Sequence, residues 1–366
     1  LLDLLKRMVL LQSSTANKAG VDLVADLIRD ELIGLPGEIM RLKEEEYGDH
    51  LIYSSPKAVA GEKGLLLVGH MDTVFPKETN FNWFKVEGDI VRGPGVIDMK
   101  GGLAVGIYAL FALNHTGLLA NMPIRFLFNS DEEVGSPSSQ EVIEDLAAQS
   151  FAAFVLECGG RQGEVVTGRK GKVSLDVETS GTAGHAAFAG KKKDSAILSL
   201  AKTILSLEEL NCPDSGLSVN VGVISGGTVP NSVPDYAKGR IDIRYERQEQ
   251  IVKVEAAMDK MIGKFTRTSE RPVMEQTERN KELFSIIKDE AEKLGYSISD
   301  EFRSGVSDAN YIANCGVPVV DGLGPMGGDD HSSREWMKRE SLLARAILVA
   351  NSIEAFFGQL SERGKL

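Results

Sequence analysis

Leu65-Leu66-Leu67-Val68-Gly69-His70-Met71-Asp72-Thr73-Val74 decides how the rest of the chain is read. Four consecutive apolar residues between Gly64 and Gly69 are too few for a helix and read as a short buried strand. That strand ends on a histidine and a carboxylate two residues apart, which an extended chain points to the same side. Runs 124–129 and 153–156 have the same character, and helical patterns at 20–33, 101–114 and 138–149 alternate with them. The alternation predicts an α/β fold with a mixed, largely parallel sheet and helices on both faces. The style resumes late in the chain, with a helix at 281–294, a strand at 297–302, a helix at 307–314, a buried strand at 317–321 and a long helix from about 340.

The stretch between differs. Val173, Leu175 and Val177 alternate as on a half-exposed strand, and Asp194 reads as the cap of a helix striped by Ile197, Leu200, Ile204 and Leu207. Strands follow at 218–224 and 237–245. Ile251, Val254, Met258, Met261 and Phe265 then mark a second helix, and 271–274 a last strand. The order βαββαβ is the ferredoxin-like split unit. The expected organisation is a discontinuous domain, 1–172 and 281–366, carrying an inserted α+β module, 173–280. A length of 366 residues fits two cores better than one.

A net charge of −12, with no basic run longer than Lys191-Lys192-Lys193, argues against a nucleic-acid partner. No apolar run approaches the roughly 18 residues of a membrane span, and the first residues read as an amphipathic helix rather than a signal peptide. Cys158, Cys212 and Cys315 are widely spaced and fit free thiols in a reducing compartment. A cytoplasmic location is expected; because residue 1 is not Met, a secreted or periplasmic one stays open.

Five metal-type positions fall at strand ends or in Gly-rich turns, where open α/β sheets bind ligands. They are His70; Asp98 in Gly95-Val96-Ile97-Asp98-Met99-Lys100-Gly101-Gly102; the pair Glu132-Glu133 after the second strand; Glu157 after the third; and His331 in Gly327-Gly328-Asp329-Asp330-His331-Ser332. A lone histidine after a strand is ordinarily a hydrogen-bonded structural residue, and an acidic triplet such as 131–133 ordinarily starts a helix. The joint pattern is what points to metal, since three of only five histidines sit in such motifs. Two histidines and three carboxylates suit a pair of divalent ions, zinc first, cobalt or manganese next, sharing one bridging carboxylate. Of Glu132 and Glu133, one would bind metal and the other move protons. A dinucleotide fingerprint at 322–327 is rejected because Pro325 and the polar turn behind it forbid the required helix. Ser307 better fits a helix start than a nucleophile elbow.

The order His-x-Asp, Gly-x-x-Asp-x-Lys-Gly-Gly, Asp-Glu-Glu-x-Gly-Ser, strand-Glu and Gly-x-x-x-His resembles the di-zinc exopeptidase and aminoacylase family over nearly the whole chain. The resemblance is closest to its bacterial glutamate carboxypeptidase branch, through Val86-Glu87-Gly88-Asp89 with Gly93-Pro94-Gly95, and through Ile241-Asp242-Ile243-Arg244-Tyr245. It implies that Asp98 bridges two zinc ions, that His70 and Glu157 complete one site, and that Glu133 and His331 complete the other. Glu132 would be the general base and Asp72 the carboxylate orienting His70, with a metal-bridging hydroxide attacking the scissile amide. The insert would be a lid and dimerisation domain. His185, in Gly181-Thr182-Ala183-Gly184-His185, would reach the partner subunit's site and stabilise the oxyanion. Asn231 and Arg244 would hold the substrate carboxylate and Gly305 would line its pocket.

The implied activity is exopeptidase cleavage of a peptide or N-acyl amino acid by a homodimer. The alternatives are an N-acyl amino acid deacylase of a biosynthetic intermediate and, more remotely, a non-catalytic binding protein. Glu164 stands where the branch carries a lysine, which argues against a preference for C-terminal glutamate. Arg271-Pro272 resembles the branch's other basic contact, and Arg169-Lys170 is a further candidate.

Overall fold

The computed structural model describes residues 1–190 and 193–364, so Lys191 and Lys192 of the basic run lie outside the described residues. The chain divides into two compact units. The first comprises Leu1–Gly168, Gln276–Arg303 and Ser307–Leu366; the second comprises Arg169–Glu275 with Ser304–Val306. Each is built on a hydrophobic core of its own.

The first unit is a mixed six-stranded sheet. Gly64–His70 lies at its centre, parallel to Ile124–Asn129 on one side and Ser150–Val155 on the other. Val319–Val320 extends the parallel part beyond Ser150–Val155. At the opposite edge His50–Ser54 runs antiparallel to Ile124–Asn129 and pairs in turn with Glu38–Leu42, a hairpin that periodicity did not reveal. Every residue of Gly64–His70 is buried, so both faces of the central strand are covered. Because these parallel strands share a direction, His70, the turn after Asn129 and Glu157 emerge at one end of the sheet.

The helix Lys100–His115 packs against the central strand and against the long helix Arg339–Glu362. Gly102 permits the start of this helix to approach the end of the strand Ser150–Val155, and Gly101 permits it to fold tightly against the loop before it. A Cβ on Gly102 would lie 1.8 Å from the Leu156 carbonyl oxygen, and one on Gly101 2.3 Å from the Val96 carbonyl oxygen. Arg339–Glu362 does reach the length and apolarity of a membrane span, contrary to the sequence expectation. Its most apolar window is 61% buried within the protein, as suits a core helix.

The second unit is a four-stranded antiparallel sheet of Ser218–Gly226, Tyr236–Tyr245, Gly171–Ser180 and Lys264–Arg271, in that order. Val173, Leu175 and Val177 face its core with Ile241, Ile243, Ile251 and Val254. Two local differences from the sequence reading have physical causes. The last strand is Lys264–Arg271 rather than 271–274, and Phe265 lies on it, because the helix Gln248–Met258 stops before Gly263. This strand is an exposed edge without apolar alternation. The first helix is capped by Ser195, whose hydroxyl accepts from the Leu198 amide, while Asp194 accepts from the Thr182 hydroxyl.

Candidate metal centre

The strand end places His70 in the buried interior with both ring nitrogens engaged. Nδ1 donates toward the Asp72 carbonyl oxygen at 3.0 Å and lies 3.3 Å from its carboxylate. This leaves Nε2 facing Asp98 Oδ1 at 3.1 Å and Glu157 Oε1 at 3.5 Å. The Asp72 carboxylate reaches further, accepting from the Thr15 hydroxyl at 2.6 Å and from the backbone amides of Glu132 and Glu133 at 3.3 and 3.2 Å. One buried aspartate thus sets the ring of His70 and the start of the acidic turn together.

Asp98 sits between two histidines. Its Oδ2 is 3.0 Å from Nε2 of His331, which also lies 3.3 Å from Glu133 Oε2. The ligand-type atoms of His70, Asp98 and Glu133 fall within 4.8 Å of one another, as do those of His70, Glu132 and Glu157. Asp330, which the sequence reading passed over, joins Asp98 and His331 at the same spacing.

The electrostatics follow from crowding acids in a dry place. Burial pushes the Glu157 carboxyl well above its ordinary range, reinforced by the charge of Asp98, and it raises Glu133 in the same way. Burial opposes the charge of Asp98 too, but hydrogen bonds with His331 and His70 hold that carboxyl below its ordinary range. Hydrogen bonds with Asp98 and Glu133 push His331 up to about 11. A set of imidazole nitrogens and carboxylate oxygens converging at these distances, negative in excess, fits divalent cations. His331 and Asp329 both adopt positive φ, at 56° and 59°, so the turn that presents the histidine departs from ordinary backbone.

Buried groups around the centre fix its loops. Asp131 accepts from the amides and hydroxyls of Ser138 and Ser139, closing the turn that carries Glu132 and Glu133. Asp308 accepts from Asn129 and Ser136 beneath the same turn. Lys100, fully buried, donates to the carbonyls of Met8 and Leu11 at the end of the helix Leu2–Val9. Burial brings its ammonium down to about 7. Glu335, also fully buried, accepts from the backbone amides of the Asp98 loop. Sequence reasoning missed Asp131 and Glu335 because nothing in their spacing separates them from surface acids.

The four remaining residues singled out from sequence lie in the second unit. Gly184–His185 pairs with Ser232–Val233, and the Asn231 carbonyl accepts from the Ala186 amide, so His185 and Asn231 are neighbours. His185 is exposed, with Nδ1 accepting from the Ala187 amide at 3.2 Å. Arg244 lies on Tyr236–Tyr245 and donates to Asp242. The Gly305 carbonyl accepts from Arg169 at 3.0 Å, and Lys170 donates to the Gly216 carbonyl, so both basic residues are bound within the unit. Glu164, in the first unit, accepts from the Gln162 amide.

Four similarities to known proteins bear on this arrangement. The sequence model of Peptidase family M20/M25/M40 matches residues 66–355. Carboxypeptidase G2 of Pseudomonas sp. (strain RS-16) is 29% identical over 361 residues, 94% of this chain and 86% of that protein. The crystal structure of aminopeptidase PepT from Bacillus cereus superimposes with a TM-score of 0.77 at 25% identity, covering 97% of both chains. The Bacillus subtilis YXEP protein, described as a dinuclear metal-binding peptidase of the M20 family, shares the fold at a TM-score of 0.69 and 15% identity over 96% of each chain.

Proposed function

Because this chain belongs to peptidase family M20/M25/M40, hydrolases of peptide and other amide bonds, we propose that it is a di-metal exopeptidase of carboxypeptidase type, acting on a short peptide or N-acyl amino acid. The observation that carries the proposal is the sharing of the Asp98 carboxylate, one oxygen toward His70 and the other toward His331. A bridging carboxylate is what two adjacent cations require. In this reading His70, Glu157 and Asp98 hold one ion and Glu133, His331 and Asp98 the other, with zinc the best match to the donors and cobalt or manganese next. Such ions polarise a carbonyl and acidify water near neutral pH.

The chain's own groups do the rest. Asp72 keeps the proton of His70 on Nδ1, so Nε2 presents a lone pair. Glu132, on a turn fixed by Asp72 and Asp131, takes a proton from the attacking water and returns it to the departing nitrogen. His185 is assigned to the developing oxyanion in a partner subunit, Asn231 and Arg244 to the substrate carboxylate, and Gly305 to the pocket lining.

Dimerisation through the second unit has support in its surface. Ile197, Leu198 and Leu205 on the helix Ala196–Glu208, and Val223 and Ile224 on the edge strand Ser218–Gly226, are all exposed, and the helix packs beside that strand. Exposed apolar residues on an unpaired strand edge favour pairing with a second copy.

The test is a panel of dipeptides, tripeptides and acetyl- and succinyl-amino acids, with amine release as the readout. Glu132→Ala should abolish turnover while keeping its metal content. Full activity in that variant refutes the assignment, and cleavage of acyl amino acids alone replaces the peptidase reading with the deacylase one.

A further inference from the structure

We propose that Glu335 is a positioning residue for the metal centre, holding the Asp98 loop in the one conformation in which that carboxylate faces both histidines. The inference rests on the assignment of Asp98 as the shared ligand. Glu335 is 0% exposed. Its Oε1 accepts from the amides of Ile97 at 2.8 Å and Asp98 at 3.1 Å, and its Oε2 from the amide of Gly95 at 3.0 Å. Three backbone donors of a four-residue stretch therefore converge on one buried carboxyl, and this includes the amide of the proposed ligand itself.

The amide of Glu335 donates to the Ser332 carbonyl, so the residue belongs to the same tight segment as His331. That segment meets the Asp98 loop at two points. The His331 ring faces the Asp98 carboxylate at 3.0 Å, and Glu335 grips the Asp98 backbone from behind. On the other flank of the loop, Lys100 is fastened to the carbonyls of Met8 and Leu11. A loop gripped this way leaves the carboxylate little freedom of aim, which is what precise placement of a ligand needs. Among the described groups, Glu335 is the one that accepts from the amides of both Ile97 and Asp98, so removing it frees the ligand's own backbone.

The experiment titrates metal-free enzyme with Zn2+ or Co2+ in competition with a chromophoric chelator, and records the visible spectrum of the cobalt form. It is run at a temperature where circular dichroism shows each variant folded. Glu335→Ala should lose roughly 10–100-fold in metal affinity and show an altered cobalt spectrum. Glu335→Gln, which keeps one acceptor oxygen and the side-chain volume, should recover part of the loss, and it decides the question if Glu335→Ala fails to fold. A folded variant that melts early but binds two ions with wild-type affinity and spectrum has lost only structural support, and overturns the inference. Asp98→Asn is measured in parallel. If it loses ions while the Glu335 variants do not, the inference alone fails; if it binds two ions like the wild type, the ligand assignment fails and takes the inference with it.

Discussion

Replacing Gly102 with alanine tests how the first unit holds its proposed metal ligands. In an ordinary helix interior this change would stabilise by about 1 kcal/mol, since alanine loses less backbone entropy. Here the added methyl would sit 1.8 Å from the Leu156 carbonyl oxygen and 2.9 Å from its carbon, both backbone atoms. Side-chain carbons do not approach other atoms within 3.0 Å, so helix and strand end must separate by more than about 1 Å. Overpacking of this kind costs about 1–3 kcal/mol, and the upper end applies because backbone, not a rotamer, has to move. The displaced atoms directly precede Glu157, whose carboxylate lies 3.5 Å from His70 Nε2. A shift of about 1 Å at a reacting centre can cost 100-fold in rate. We therefore expect Gly102→Ala to lose about 2 kcal/mol net in urea unfolding and at least tenfold in kcat/KM. Gly106→Ala is the control: its methyl meets the side-chain tips of Leu156 and Phe126, at 2.5 Å each, so it should destabilise while leaving the rate of the folded enzyme within a few-fold. A Gly102→Ala enzyme as stable and as active as the parent would refute the reasoning.

Three further outcomes are expected. Burial works against a charged Asp49, but hydrogen bonds from Lys18, Lys43, the Glu44 amide and Arg41 outweigh it and hold the carboxyl well below its ordinary range. Asp49→Asn should cost about 2–3 kcal/mol in urea unfolding at neutral pH. Because the folded value is the lower one, that stabilisation is complete above about pH 4 and fades as the pH falls further, so the two unfolding midpoints should converge in acid. Dialysis against a chelator should abolish hydrolysis, and restoration should track about two ions per chain, with zinc, cobalt and manganese compared by metal analysis. Leu205→Glu combined with Ile224→Glu should halve the mass in sedimentation equilibrium; a parent protein already monomeric would refute the dimer.

The parts of the fold legible in sequence are those where burial leaves a simple pattern. Leu65–Val68 could only be an interior strand, and the ferredoxin-like order followed from Val173, Leu175, Ile241 and Ile243 alternating toward one core. The hairpin of Glu38–Leu42 and His50–Ser54 was not legible, because His50 is set by hydrogen bonds to Ser130 and Ser138 and Arg41 by bonds to Asp26 and Asp49 rather than by periodicity. The proposed ligands could be named because histidine and carboxylate in a glycine-rich turn carry chemistry in their residue types. Asp308 and Glu335 carry the same type but act on groups far away in sequence, the Asn129 side chain and the amides of the Asp98 loop, and no spacing rule reaches that far; Asp131 closes its own turn through Ser138 and Ser139, which its residue type alone does not announce.

The path of the chain also has a consequence in time. Gly64–His70, Ile124–Asn129 and Ser150–Val155 are synthesised before the second unit; Val319–Val320, His331 and Arg339–Glu362 come after it. A ribosome adds about 5–20 residues per second, so the nascent sheet waits on the order of ten seconds with the Ser150–Val155 edge unpaired and the helix Lys100–His115 without its long partner. During that interval the second unit, with its own core, can fold alone, whereas the first exposes an apolar strand edge. The burden on chaperones should therefore fall on the first unit, which carries the proposed metal ligands, and it should end only when the helix Arg339–Glu362 leaves the ribosome.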